Sequence, residues 1–446
     1  MNELKFNIPQ YIEKVMERFD YSGFESFLVG GCIRDFISGK IPLDYDIATK
    51  ALPAEVKEIF KDMNVVETGI EHGTVTIVSS EGKVEVTTYR IDGKYKDGRR
   101  PEGVFFTKTI QQDLARRDFT INAIAYSPHK GIVDPYGGRQ DIESRIIRCV
   151  GDPDKRFKED YLRILRGIRF VAATDFSLEK RTEAAMTEMK SNIGSVAIER
   201  IREEFIKILC GAYVEKVLLE HREFISEIVP EIAESFDFNQ NNPYHIFDVY
   251  RHTVEVIKNT PPEKCLRLAA FFHDIGKPYV YSVDGNGTGH FYGHVKISVK
   301  LAEEIMTRMK FDKNTAILVR DLVKHHDTDI LPDKKSVRKF IARQSIPFLK
   351  KLLILKKADI SGQNPELVYR LDEISKIETL IEEIIDEGSL FTLKNLEIDG
   401  DDIIRLGITP GRKIGQILND CLSKVINEEL PNSCNELIKY VKMKYL

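Results

Sequence analysis

The chain has 446 residues, of which 30% are charged and 42% hydrophobic, with a formal net charge of −4. That balance suits roughly two to four globular domains and excludes collagen-like, low-complexity and largely disordered chains. No apolar run reaches the roughly eighteen residues of a membrane span, the opening Met-Asn-Glu-Leu-Lys lacks a signal-peptide layout, and the six scattered cysteines form no CxxC pair, so a cytoplasmic protein with reduced thiols and no membrane partner is expected.

Residues 1 to about 22 carry Ile8, Tyr11, Ile12, Val15, Met16 and Phe19 at helical spacing, which predicts an amphipathic helix leading into a strand at Ser26–Val29. The apolar run Phe27-Leu-Val meets Gly30 and Gly31, then Arg34-Asp35, then Leu43-Asp-Tyr-Asp-Ile-Ala-Thr49. Glycine lets the backbone approach a phosphate without a Cβ in the way. Alternation along a strand would put Asp44 and Asp46 on one face, where two carboxylates can share divalent cations as two-metal phosphoryl transfer requires. Further strands are expected at Val65–Glu67, Val75–Val78 and Val84–Tyr89, giving a small mixed sheet with flanking helices over residues 1 to about 145.

Between Thr88 and Phe170 there are 18 Lys or Arg against 12 Asp or Glu, and 12 of the cations are Arg, the side chain that grips phosphate bidentately. An anionic ligand, nucleic acid or triphosphate, is favoured there. Gln112-Asp-Leu-Ala-Arg-Arg-Asp-Phe-Thr-Ile-Asn-Ala123 sets Arg116 and Arg117 just ahead of a predicted helix, with Asp118 as its N-cap or as a ligand. From Asp152 onward helical periodicity dominates, with helices predicted at Asp160–Val171, Glu179–Lys190, Ile198–Leu209 and Val214–Leu219. On the first of these, Asp160, Arg163, Arg166 and Arg169 recur every third residue and would form one polar row. A carboxylate and a guanidinium one turn apart can read a base edge, the first accepting from an exocyclic amine and the second donating to a ring acceptor. A solvated row of salt bridges is the plainer use of the same pattern.

The motifs Val29-Gly-Gly-Cys-Ile-Arg-Asp35 with Asp44-Tyr-Asp46, Thr68-Gly-Ile-Glu-His-Gly-Thr-Val75, Arg116-Arg-Asp-Phe-Thr-Ile-Asn-Ala123, Asp134-Pro-Tyr-Gly-Gly and Glu159-Asp-Tyr-Leu-Arg163 stand in one order over about the first 210 residues. Together they resemble the class II tRNA nucleotidyltransferases, the bacterial CCA-adding enzymes. The resemblance implies an α+β fold in which a palm-like head of small mixed or antiparallel sheet precedes a long all-helical neck, body and tail. It also implies CTP and ATP as substrates and the tRNA 3′ end as primer. Carried onto this chain, Asp44 and Asp46 would hold Mg²⁺, with Glu85 as a third carboxylate activating the primer hydroxyl. Gly30, Gly31 and Arg34 would meet the nucleotide phosphates; Arg116, Arg117, Asp118 and Asn122 would contact triphosphate and ribose. Asp160 and Arg163 would select the base, supported by Arg166 and Arg169. Related poly(A) polymerases carry a basic Gly-Arg-Arg-Phe type of segment where Thr68–Val75 stands here, which favours tRNA over general RNA ends. The charged segment Arg90–Pro101 resembles the loop that CC-adding members lack, which favours full CCA addition, with A-addition alone left open.

Seven of the ten histidines fall between 245 and 326. His252, the pair His273-Asp274, His294, His325 and Asp359 form a set of borderline and hard metal ligands on predicted helices. Their order resembles the HD-domain phosphohydrolases, with His252, His273, Asp274 and Asp359 at the family positions, and His294 and His325 as ligands of a second ion. The metal's identity stays open, and a stand-alone HD hydrolase with an RNA-binding N-terminal half is the rival reading. An Asn-rich break at Phe238–Pro243 is the expected linker, and the resemblance implies a head (1–145), a base-recognising neck (146–238), an HD unit (239–365) and a tRNA-binding helical tail (366–446). In that tail, Ile398–Gly415 resembles a helix-hairpin-helix turn whose Gly amides can meet phosphate, or is simply a tight interhelical turn.

Overall fold

The computed structural model describes residues 6–92, 104–387, 393–427 and 429–446. Two compact units divide it, Met1–Pro230 and Glu231–Leu446.

In the first unit, α1 (Gln10–Tyr21) buries Ile12, Val15, Met16 and Phe19, the expected single stripe. The strand β1 (Ser26–Val29) ends at Gly30, α2 (Gly31–Ile37) comes at once, and β2 (Asp46–Thr49) returns antiparallel beside β1. After α3 (Pro53–Ile59), which starts with Pro at its first turn where the missing N–H costs nothing, come β3 (Asn64–Gly69), β4 (Thr74–Val78) and β5 (Lys83–Thr88). The hairpin of β6 (Arg90–Asp92) and β7 (Val104–Phe106) stands apart from the main sheet, and α4 (Ile110–Ala115) leads to β8 (Ala125–Ser127) and β9 (Gly131–Val133). The seven-stranded sheet has the order β3-β4-β5-β2-β1-β8-β9, with β2 and β5 parallel and every other pair antiparallel. Phe27, Val29, Ala48, Ala125 and Leu114 belong to the core that holds it.

Helices then take over: α5 (Gly138–Glu143), a two-residue pairing of β10 (Ile146–Ile147) with β11 (Ser177–Leu178), α6 (Pro153–Glu159), α7 (Leu162–Thr174), α8 (Lys180–Met189), α9 (Ile198–Leu209), α10 (Val214–Glu220) and α11 (Arg222–Ile228). Two expectations need correction. β2 begins at Asp46, so Asp44 lies in the approach to the strand rather than on it. α7 begins at Leu162, and Asp160 sits in extended backbone between α6 and α7, its carboxylate accepting from the Leu162 N–H at 3.0 Å. The four-residue polar row therefore starts at Arg163. Part of the charged segment Arg90–Pro101 lies outside the described residues.

The second unit is helical apart from a short pairing of β12 (Ser282–Val283) with β13 (Gly289–His290). Its helices are α12 (Val249–Asn259), α13 (Lys264–Phe272), α14 (His294–Arg308), α15 (Lys313–His325), α16 (Lys334–Arg343), α17 (Ile346–Ser361) and α18 (Arg370–Asp386), then α19 (Gly400–Arg405), α20 (Arg412–Ile426) and α21 (Cys434–Tyr445). The expected linker Phe238–Pro243 is a packed loop inside this unit: Gln240 is buried and its side-chain oxygen accepts from Lys277 at 2.8 Å. In the Ile398–Gly415 segment Asp399 caps α19, and the chain turns at Gly407 (φ 88°) into α20. Among the described residues no helix is long and apolar enough to cross a membrane.

Candidate active sites

The first site is assembled by the junction of β1 and α2 and by the pairing of β2 with β5. Gly30 has φ 76°, a conformation that side chains disfavour, and a Cβ there would lie 3.1 Å from Nη1 of Arg117 and 3.8 Å from Oδ2 of Asp46. The glycine thus leaves the space in which a guanidinium and a carboxylate meet. Asp46 stands directly across from Glu85 in the parallel β2–β5 register, so both side chains leave one face of the sheet. Burial against the sheet raises the Asp46 carboxyl to about 6, and Glu85 and Asp44 push the same way while Arg117 partly offsets them. Asp46 is exposed to solvent at the start of β2, yet protein atoms crowd its carboxylate group, and three acids outnumber the Arg117 guanidinium there.

Arg116 and Arg117 are held by an acid that local sequence pattern did not single out. Asp113, only 1% exposed, accepts from Arg116 at 3.0 Å and Arg117 at 3.3 Å; burial would raise its carboxyl, but the two guanidinium groups win and lower it. Its place three and four residues before them on α4 was the available signal. Arg117 also donates to the Asn122 carbonyl at 3.2 Å, and Arg34 donates to the Asn122 side-chain oxygen at 3.0 Å and to Asp35. Beyond Asp118 the chain forms only a three-residue 3₁₀ turn, Thr120–Asn122, without a side-chain cap. Asp118 is therefore no helix N-cap, and the arginines, not a helix dipole, supply the positive charge. Asp118 instead accepts from Arg166 Nε at 2.6 Å and from the Phe119 N–H at 2.9 Å. Burial acts to raise its carboxyl, yet Arg166 outweighs that and holds it down at about 2.

Each remaining member of the base-reading set has its own partner. Asp160 is gripped by both terminal nitrogens of Arg200 on α9, at 3.3 and 2.7 Å. Arg163, nearly buried, pairs with Glu159 and donates to the Arg156 carbonyl at 2.9 Å and the Arg116 carbonyl at 3.4 Å. Arg169 lies 2.8 Å from Glu204.

The second site lies wholly in the second unit. His252 on α12, His273 and Asp274 after α13, His294 at the start of α14 and Asp359 on α17 converge as expected, but His325 does not join them. His325 packs beside Phe340 and Phe348, and the next residue, His326, takes the expected place. Adjacent residues at a helix end point about 100° apart, and sequence alone does not say which of the two faces inward. His252, His273 and Asp274 form one group with ligand atoms in reach of a common ion, and Asp274, His294 and His326 form another, so Asp274 bridges the two. All four inward histidines place Nδ1 on a backbone carbonyl, those of Gly362 (3.1 Å), Ala270 (2.7 Å), Phe291 (3.0 Å) and Val323 (2.6 Å). That orientation reserves Nε2 as a ligand atom. The Nε2 atoms of His252 and His273 face each other at 3.3 Å, and those of His294 and His326 at 3.4 Å. Two acceptors so placed repel unless a cation lies between them, and the donor set fits a pair of divalent ions. Lys277, buried, donates to Asp274 at 2.7 Å beside a cleft of about 310 Å³ lined by His245, Phe291 and Tyr292.

A carboxylate-bearing sheet fed by clamped arginines, followed by a histidine and aspartate metal cluster, defines a nucleotidyltransferase joined to an HD unit. Family models bear this out in chain order: the poly A polymerase head domain over residues 26–148, the probable RNA and SrmB-binding site of polymerase A over 175–236, and the HD domain over 244–361. A CCA-adding enzyme of Leuconostoc mesenteroides is 31% identical over 434 residues, covering 96% of this chain and 95% of that one. The chain belongs to the CCA-adding enzyme family. Its fold is similar to that of the Bacillus stearothermophilus CCA-adding enzyme crystallised with CTP (TM-score 0.73, 24% identity, 98% and 97% of the two chains). It also resembles that of the Thermotoga maritima enzyme complexed with tRNA (TM-score 0.55, 19% identity, 99% and 97%).

Proposed function

We propose that the chain adds C, C and A to the 3′ end of tRNA from CTP and ATP without a template, using residues 1–145 as the catalytic head, 146–238 as the base-selecting neck, 239–365 as the HD unit and 366–446 as the tRNA-holding tail. The observation that carries this reading is the pairing of Asp46 with Glu85 across two parallel strands, beside a Gly30 turn that admits Arg117. Asp44 and Asp46 would hold Mg²⁺, which when bound lowers the pKa of the primer hydroxyl and neutralises charge at the α-phosphate. Gly30 and Gly31 give the triphosphate access to backbone, while Arg34, Arg116 and Arg117 neutralise its oxygens, with Asn122 and Asp118 fixing their directions. Glu85 accepts the hydrogen bond of the primer 3′-hydroxyl and aims that oxygen at the α-phosphate.

Base choice falls to Asp160 and Arg163, supported by Arg166 and Arg169. A carboxylate offers about four acceptor positions. Leu162 N–H and the two Arg200 nitrogens use three of those on Asp160, which leaves one for an exocyclic amine. Cytosine and adenine carry such an amine beside a ring acceptor for Arg163; uracil presents an acceptor to an acceptor. The work is placed in the cytoplasm, in keeping with six free cysteines.

The test is incorporation of labelled CTP and ATP on tRNA transcripts ending at the discriminator base, at -C and at -CC. CMP on the first two and AMP on the third is the expected result; AMP on -CC alone assigns A-addition, and extension of unstructured RNA assigns a poly(A) polymerase. No incorporation on any primer overturns the reading. A second activity, metal-dependent hydrolysis of phosphate esters at the HD cluster, is supported by the facing Nε2 pairs, and Asp44→Ala should leave it intact while abolishing incorporation.

A further inference from the structure

Phe170, near the end of α7 and only 5% exposed, is the point where the three nucleotide-handling segments meet. The guanidinium carbon of Arg34, from α2, lies 5.5 Å from its ring centroid, that of Arg166 lies 5.9 Å away and that of Arg169 4.3 Å away. The ring also meets Phe119, the residue after Asp118, edge-on at 5.7 Å and 82°. Gly167 permits this approach, since a Cβ there would stand 3.1 Å from the Phe119 ring. Three cations around one apolar ring are tolerable because each has an acid as well: Asp35 for Arg34, Asp118 for Arg166 and Glu204 for Arg169. Asp35 and Asp118 accept hydrogen bonds from Arg34 and Arg166, Glu204 stands 2.8 Å from Arg169 as an ion pair, and the ring supplies a negative π surface that the three cations share.

We infer that Phe170 is a positioning residue that couples the phosphate-binding Arg34 to the base-selecting helix α7. A free guanidinium must give up rotamer freedom when a phosphate arrives, whereas one already held against a ring has lost it beforehand. Because the same ring touches Arg34 on one segment and Arg166 and Arg169 on another, it also fixes the separation between the phosphate end and the base end of the site. The inference rests on the assignment of Arg34 to the nucleotide phosphates.

Fluorination of the Phe170 ring tests it, because one, two or three fluorines drain the π surface with little change in shape. In the full-length enzyme carrying the 4-fluoro, 3,5-difluoro and 3,4,5-trifluoro side chains, KM for CTP and for ATP should rise stepwise to about tenfold, with kcat changing less. The dissociation constant of inorganic tripolyphosphate, measured by calorimetry, should rise in the same order. Phe170→Leu, which keeps an apolar side chain but no π surface, should resemble the trifluoro enzyme. A flat series, or wild-type values in Phe170→Leu, overturns the inference. If no enzyme in the series incorporates nucleotide, the proposed function falls, and the tripolyphosphate series still decides the role of Phe170.

Discussion

The facing imidazoles of the second unit predict that its stability should depend on metal. Four Nε2 atoms lie 3.2–3.7 Å from the Asp274 carboxylate, and every Nδ1 is tied to a backbone carbonyl, which fixes the rings in a ligating orientation. Borderline divalent ions such as Mn²⁺ and Zn²⁺ suit imidazole and carboxylate together. An ion present at one hundred times its Kd stabilises the folded unit by about 2.7 kcal/mol. A unit the size of residues 231–446 gains about 2–4 °C per kcal/mol, so its melting transition should rise by about 5–11 °C for each ion bound, about 11–22 °C for two, when Mn²⁺ is added to chelator-treated protein. Differential scanning calorimetry reads the shift, and titration calorimetry counts the ions, of which two are expected. Asp274→Asn should abolish most of the gain because it serves both groups, and His326→Ala should lose one ion. His325→Ala should keep the whole shift, since that ring packs against Phe340 and Phe348. No rise with any divalent ion, or loss of the rise in His325→Ala with retention in His326→Ala, would refute the reasoning.

In the head, Asp44→Ala or Glu85→Ala should cut nucleotide incorporation on the order of 10³-fold or more in primer-extension assays, several kcal/mol of lost charge stabilisation, without altering phosphate-ester hydrolysis at the second site. Replacing Arg163 by Ala should relax the preference for CTP over UTP by about tenfold, since a mismatched buried hydrogen bond costs about 1–3 kcal/mol; an unchanged CTP/UTP ratio of kcat/KM would count against base reading there. The Asp118 carboxyl falls from an ordinary 3.8 to about 2 in the folded chain, so its link to Arg166 contributes stability that is complete above about pH 4 and disappears as pH falls through about 2. The difference in unfolding free energy between wild type and Asp118→Asn should therefore be about 2 kcal/mol larger at pH 7 than at pH 2 in urea titrations.

Much of this site was legible because its chemistry is carried by short runs of sequence. The Gly30-Gly31 turn, Asp44-Tyr-Asp46 and the arginine pair were found from local pattern, and so was the strand that bears Glu85. What sequence could not supply was the partner across space. Nothing in the local pattern says that Arg200 grips Asp160 from another helix, that Asp118 turns to Arg166 rather than capping a helix, or that β2 pairs parallel with β5 and so brings Glu85 opposite Asp46. Asp160 was misplaced for a related reason. Period three fits a helical row, but a residue just before a helix can spend its carboxylate on the first free N–H instead, as Asp160 does with Leu162. The choice between His325 and His326 failed at the same level, since both lie at the end of one amphipathic helix and only packing against Phe340 and Phe348 decides which ring turns outward.

The two ends of the first site handle charge in opposite ways. In the neck every arginine offered for the nucleotide already has an acid within reach, Arg163 buried and Arg166 and Arg169 half-buried, so an incoming nucleotide would share partners instead of creating a new desolvated charge. At Asp46, by contrast, crowding by protein atoms is the chief cause that raises the carboxyl to about 6, and Glu85 and Asp44 add to it while Arg117 partly offsets them. A group left in that state favours whatever brings positive charge to it. On the proposed assignment, neutral pairing at the base-selecting end and an excess of carboxylate at the Asp46 end would let one site choose bases while its chemistry draws on a divalent metal.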